Sequence, residues 1–232
     1  MRFAVMQPYF FPYIGYFQLA SAVDTFVIFD DVQYIRRGWI NRNNILLNGK
    51  AHKITLPVQS HNQQTTINEV TIAANKMHSK MLKTLESAYS KHLGWLRIKT
   101  LLEPFAQAQP EDPLLPLLTN SLKSIFEILN IRCQVIFASS IDCGDLKNTQ
   151  RIIALGKALN ADQYVNAIGG MDLYINKSFS DAGIKLTFCQ PVIQPYTQIG
   201  SEHFISHLSI LDQFANASSE TIRINKGKII QA

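Results

Sequence analysis

The sequence predicts an α/β fold: a mostly parallel sheet with helices on both faces and an inserted helical portion. Three observations predict it. Two short apolar runs, residues 3–6 and 25–30, bracket a single helix, and such a strand, helix, strand unit implies parallel pairing. Strands and helices then interleave to the far end of the chain instead of segregating. Between the two stretches the alternation lapses, first into a polar, hairpin-like insertion at about 33–72 and then into a helical portion at about 76–130. At 232 residues the chain suits one large α/β domain, 1–232, with a generous core.

Each element follows from local chemistry. Residues 3–6 are apolar and few, as a buried strand is. Gln7-Pro8-Tyr9-Phe10-Phe11-Pro12-Tyr13 comes next and must be an irregular loop, because proline removes a backbone donor and pushes its predecessor out of the α region. Gly15 lets backbone approach a ligand with no Cβ in the way, and a helix over 16–22 turns its free N–H groups to the same place. Residues 25–30 are the second strand. From 33 to 50 the chain is polar, with Arg36, Arg37, Asn41, Arg42, Asn43 and Asn44 crowded around Trp39. Residues 52–57 and 67–72 alternate as strands about a His61-Asn62-Gln63-Gln64 loop, a hairpin at the sheet edge.

Met77, Met81, Leu82, Leu85, Ala88 and Tyr89 recur at helical spacing, and 93–102 continue the amphipathic pattern. Pro104, Pro110, Pro113 and Pro116 mark a connector. Residues 117–129 are helical, with Leu118, Leu122, Ile125, Phe126 and Leu129 on one face. A strand at 132–138, a helix at 146–159 and strands at 163–166 and 184–188 restore the alternation. A last helix covers 204–214, and the tail after Asn216 carries little pattern. The whole reads as one Rossmann-like domain.

Composition narrows the function classes. A 47% hydrophobic chain with 17% charged residues folds, which excludes disorder. The net charge is +5, but the lysines and arginines are scattered, which suits a small anionic ligand or mild attraction to a membrane surface and not DNA. No apolar run approaches the roughly 18 residues of a membrane span. Nor does an apolar signal region precede Gln7 and Pro8, so a cytoplasmic location is expected. Cys133, Cys143 and Cys189 are odd in number and form no Cys-x-x-Cys pair, a pattern of reduced thiols.

In such a fold, ligands collect at the carboxyl ends of the strands. The aromatic loop lies there, with the polar groups of Gln7, Tyr9, Tyr13 and Tyr16 beside Pro8; packing beneath neighbouring helices is the plain alternative for so many rings. Asp30 and Asp31 lie there too, suited to Mg²⁺, a ribose or an amine. Neighbours on a strand face opposite ways, so only one of them faces a given pocket. Arg36 and Arg42 offer planar forks for phosphate or carboxylate, with Asn41 and Asn43 next to them, where the alternative is a solvated loop. Gly169-Gly170 follows the strand at 163–166 and permits a tight turn or close phosphate approach, with Asp172 and Tyr174 just beyond.

His203 and His207 stand four apart in the expected last helix, but no third ligand follows and the glutamate of a His-Glu-x-x-His motif is absent, so no metal is assigned. Ser209 and Asp212 form a local pair on the same helix. No nucleophile elbow or Walker loop is present, which excludes covalent serine catalysis.

The segments QPYFFPYIGYFQL, FVIFDDVQYIRRGWINRN, YVNAIGGMDLY, PYTQ and HFISHLSILDQFAN together resemble the WbqC-like family, nearly end to end. The resemblance implies a place among O-antigen (lipopolysaccharide) and other surface-polysaccharide gene clusters. It also implies a transferase or amide-forming ligase that attaches glycine or a related amino acid to an amino-sugar nucleotide. Activation would come from ATP and Mg²⁺ or from charged tRNA, and the partners would be the amino-sugar nucleotide and the amino acid. A non-catalytic sugar-nucleotide binding or assembly protein is the rival.

A more distant likeness is to the nucleotidylyltransferase and pantothenate-synthetase superfamily. There a His-x-Gly-His motif after the first strand grips ATP phosphates; here Tyr13-Ile14-Gly15-Tyr16 stands in its place. A neutral phenol, with a pKa of about 10, lacks the charge of a protonated histidine. Arg36 and Arg42 would supply it. The expected site thus has Tyr13, Tyr16, Asp30 and Arg42 in catalytic roles. Gln7, Pro8, Tyr9, Gly15, Arg36, Asn41, Asn43, Gly169, Gly170, Tyr174 and Tyr196 would bind substrate.

Overall fold

A computed structural model describes residues 1–217 and 224–232. The chain opens with β1 (Arg2–Met6) and crosses through α1 (Ile14–Ser21) to β2 (Thr25–Ile28), which pairs in parallel with β1. An insertion follows, made of the hairpin β3 (Arg42–Leu47) and β4 (Lys50–Thr55) and the helices α2 (Lys76–Tyr89), α3 (Trp95–Gln107) and α4 (Leu114–Ile128). The chain returns as β5 (Gln134–Phe137) beside β2, then runs through α5 (Asn148–Ala158), β6 (Gln163–Ala167), α6 (Asn176–Ser180), β7 (Lys185–Gln190), α7 (Ile210–Asn216) and β8 (Lys228–Gln231).

The main sheet has the order β5-β2-β1-β6-β7-β8. Counted in chain order within the sheet, that is 3-2-1-4-5-6, the doubly wound arrangement whose switch point lies between β1 and β6. The first five strands run parallel, and β8 closes the edge antiparallel to β7. The pleat sorts the side chains. Ala4, Phe26, Ile28 and Val165 meet α1 and the inserted helices, while Phe3, Val5, Val27 and Tyr164 meet α5 and α6. Helices thus cover both faces.

Several boundaries differ from expectation, each for a local reason. The hairpin turns at Asn48-Gly49, where φ is 51° and 71°, the left-handed pair that a tight two-residue turn requires. That turn pairs residues 50–55 back onto 42–47 in a separate two-stranded sheet, so the hairpin is not at the edge of the main sheet and does not turn at His61. Ile67–Glu69 is a 3₁₀ turn, and Ile72 makes only an isolated bridge with Val58. Pro104 lies inside α3, and Pro116 sits in the first turn of α4, where a missing N–H costs nothing.

The last helix is short. His207 has a φ of 59°, and Ser209 caps α7 by accepting from the Leu211 N–H. His203 and His207 therefore share no helical face. The tail that carried little pattern supplies β8.

Candidate functional site

The aromatic loop after β1 is held in the core. Phe10 and Phe11 are fully buried, with both rings 5.2 Å from Phe105 of α3. The Asn43 amide donates to the Phe10 and Phe11 carbonyls, and the Phe10 N–H donates to the Ile40 carbonyl at 2.9 Å. Pro8 is buried as well. Tyr9 and Tyr16 pack edge to face, 5.1 Å apart, and the Tyr16 hydroxyl donates to the Gln7 carbonyl. Burial pushes the Tyr9 and Tyr16 phenols above their ordinary range. Tyr13 is half-buried against the His207 ring, and its own ring lies over Gly15, where a Cβ would meet it at 2.5 Å. Gly15 thus makes room for a side chain of its own loop.

The other sequence-selected residues divide between packing and surface. The Asn41 amide donates to the Leu56 carbonyl, and Arg36 donates to the His61 carbonyl. Gly170 is buried against the Asn166 amide, and Gly169 is exposed. The Tyr196 hydroxyl donates to the Asp212 carboxylate at 2.7 Å. Asp30 is 2% exposed and accepts from the Ser139 N–H and hydroxyl at 3.1 and 2.6 Å. Both of its oxygens are engaged in joining β2 to the segment after β5.

Its neighbour Asp31 faces the other way, into a cleft of about 520 Å³ lined by Phe29, Asp31, Val32, Gln33, Leu146, Lys147, Asn148, Arg151, Ile152 and Tyr174. Those residues come from the chain just after β2, from the start of α5 and, beyond β6, from Tyr174 at the end of a 3₁₀ turn. The cleft therefore lies on the rim where doubly wound sheets take their ligands. Arg151 forms an ion pair with Asp31 and lies over the Phe29 ring, 5.2 Å from its centroid. The pair is only partly wet, with side-chain exposures of 17% and 24%. Even so, Asp31 Oδ1 and Arg151 Nε are buried without partners. Tyr174 forms part of the lining and is fixed by the rings of Tyr164 and Phe179 at 5.7 and 5.5 Å.

At the start of α5, Lys147 occupies the cap position with no side-chain bond to the helix, and no acidic residue stands in the first turn. Lys147 and Arg151 place positive charge where the helix dipole is already positive. An anion in the cleft would offset both. Of the residues selected from the sequence, Asp31 and Tyr174 line this cleft, and Tyr196 lines a smaller cavity of about 350 Å³ beside α1. Tyr13, Arg42 and Gly169 line none of the five principal cavities. Arg151, Lys147 and Gln33 escaped the sequence reading, although cations at the start of a helix after a strand are a legible anomaly.

Comparison with known proteins gives two findings. The model of the WbqC-like protein family matches residues 7–224. The chain is also similar to an uncharacterized protein of Mycobacterium tuberculosis, Rv1507c, with 28% identity over 221 residues, or 94% of this chain and 95% of that protein. No solved structure matches significantly.

Proposed function

The chain belongs to the WbqC-like protein family, and from that premise we propose that it acts on an amino-sugar nucleotide in surface-polysaccharide (O-antigen) biosynthesis, transferring glycine or a related acyl group to the sugar amine. The observation that carries this reading is the cleft itself. It pairs two cations and a helix start, suited to a diphosphate, with the Asp31 carboxylate. The diphosphate would lie against Lys147, Arg151 and the first amides of α5. Asp31, which lines the cleft, would accept a proton from the amine as the new C–N bond forms and the bond to the activating group breaks.

The same cations suit the phosphates of ATP. For Mg²⁺, the described residues offer no cluster of three or more His, Cys, Asp or Glu side chains, and Ser139 occupies Asp30. An ion would be held mainly by substrate phosphates, with Asp31 beside it.

Calorimetric titration with UDP-, dTDP- and GDP-amino sugars tests the reading. Arg151→Gln should weaken binding about tenfold or more, and the affinity should fall with salt. Incubation with ATP and a panel of amino acids, or with charged tRNA, should then yield an aminoacylated sugar. Failure of every sugar nucleotide to bind sinks the proposal, whereas binding without product identifies a non-catalytic binding protein.

A further inference from the structure

The cavity of about 350 Å³ beside α1 has a different chemistry from the cleft and shares no lining residue with it. Ile14, at its α1 wall, packs with the apolar cluster on the α1 face of the sheet, whereas Phe29 and Ile152 of the cleft pack with the cluster on the α5 face. Residues 192–196 follow the carboxyl end of β7. The two hollows therefore lie at one rim of the sheet but on opposite faces.

Four parts of the chain meet in this cavity: α1, segment 192–196, α7 and the residues before β8. Gln18 of α1 donates to the Val192 carbonyl and accepts from the Val192 N–H, each at 2.9 Å. The Asn225 amide donates to Gln194 Oε1 at 2.8 Å. The Tyr196 hydroxyl donates to Asp212 of α7 at 2.7 Å. Hydrogen bonds between distant segments thus hold the walls in place.

Those bonds leave a definite set of polar groups for a ligand. Among the described residues, the Gln213 carboxamide has no hydrogen-bond partner, and it lines the cavity. With Gln194 Oε1 and Asn225 Nδ2 bonded to each other, Gln194 Nε2 remains a donor and Asn225 Oδ1 an acceptor. The Tyr196 oxygen, its proton turned to Asp212, meets only a long 3.5 Å contact from Gln198 Nε2 and can accept. No charged side chain lines the cavity among the described residues, and Ile14, Val192, Ile193 and Pro195 supply apolar surface between the amides.

This combination selects its ligand. An ion would lose water there without meeting an opposite charge, and a purely apolar molecule would strand the amides. A ring bearing hydroxyl groups meets both conditions. Each hydroxyl donates and accepts, as a carboxamide does, and the C–H face of the ring covers the apolar side chains.

We propose that this cavity is a binding site for an uncharged sugar unit. Gln213 and Gln194 donate to its hydroxyl oxygens, Asn225 and Tyr196 accept from its hydroxyl protons, and Ile14, Ile193 and Pro195 pack against its ring. The site is independent of the cleft reading, which requires an anion.

NMR titration with methyl α-glucoside, methyl α-galactoside and N-acetylglucosamine tests it, with glucuronate and N-methylacetamide in parallel arms. At least one neutral sugar should bind wild type, and glucuronate should bind no more tightly than the glucoside. Gln213→Ala should weaken the sugar about fivefold or more and Gln194→Ala about threefold, while Arg151→Gln should leave it unchanged. Failure of all three neutral sugars to bind overturns the proposal, as does binding that neither glutamine variant weakens. Binding lost in Arg151→Gln overturns it by moving the sugar to the cleft, and tighter binding of glucuronate or of N-methylacetamide overturns it by assigning an anion or an amide instead. Gln194 is exposed, so Gln194→Ala keeps the test valid if Gln213→Ala fails to fold.

Discussion

Asp212 shows how a residue read as half of a local pair organises distant chain. It is fully buried and accepts from the hydroxyls of Tyr89 and Tyr196 at 3.2 and 2.7 Å and from the Gln198 amide at 2.8 Å. Asp212→Ala would remove the shared acceptor of two hydroxyls and one amide N–H and should cost about 2–4 kcal/mol, measured by urea unfolding. Burial raises its folded pKa above the ordinary 3.8, against the lowering by those hydrogen bonds. The folded state therefore binds this proton more readily than the unfolded chain. Its contribution to stability is full below about pH 3.8 and is lost as pH rises through the folded value. Asp212→Asn should abolish that loss, so a pH series of urea midpoints should move in favour of the variant across the window. At this scale the sequence presented the Asp30-Asp31 pair and the rule that only one faces a pocket. Only the pleat and Ser139 show that Asp31 is the one.

Element by element, some constraints act within a few residues. Asn75 caps α2 by accepting from the N–H groups of Met77 and His78, so Asn75→Ala should cost about 1 kcal/mol. The melting temperature should drop by about 2–4 °C. Gly94 is a different case, because its constraint comes from far along the chain. It begins α3 against the end of α7, donates to the Ala215 carbonyl at 3.0 Å, and any Cβ there would collide with the Phe214 carbonyl. Gly94→Ala should therefore cost about 3 kcal/mol and lower the melting temperature by about 6–12 °C. A smaller effect would mean that α3 and α7 can slide apart. The hairpin turn at Asn48-Gly49 is equally local, yet the expected hairpin paired residues 52–57 with 67–72 and left 42–47 in a polar stretch.

In the whole molecule, one apolar cluster runs from the α1 face of the sheet into the inserted helices, so the two parts should unfold together. Phe126 of α4 meets Phe17 and Phe26 at 6.0 and 5.8 Å, and Phe105 of α3 meets both phenylalanines of the loop after β1. Phe105→Ala should cost about 3–5 kcal/mol. Circular dichroism and the fluorescence of Trp39 and Trp95, both in the insertion, should still report one coincident transition. Two separate transitions would show that the insertion folds alone. By itself the sequence determined the interleaved elements, the family motifs and the rim on which a ligand site would lie, because hydrophobic period, turn chemistry and crossover handedness act over short spans. Which side chains share a cavity was decided by the tertiary structure alone. Packing against Phe105 and Ile40 drew the aromatic loop inward, and the crossover from β5 brought Arg151 to Asp31, through contacts between residues too far apart in sequence for any local pattern to record.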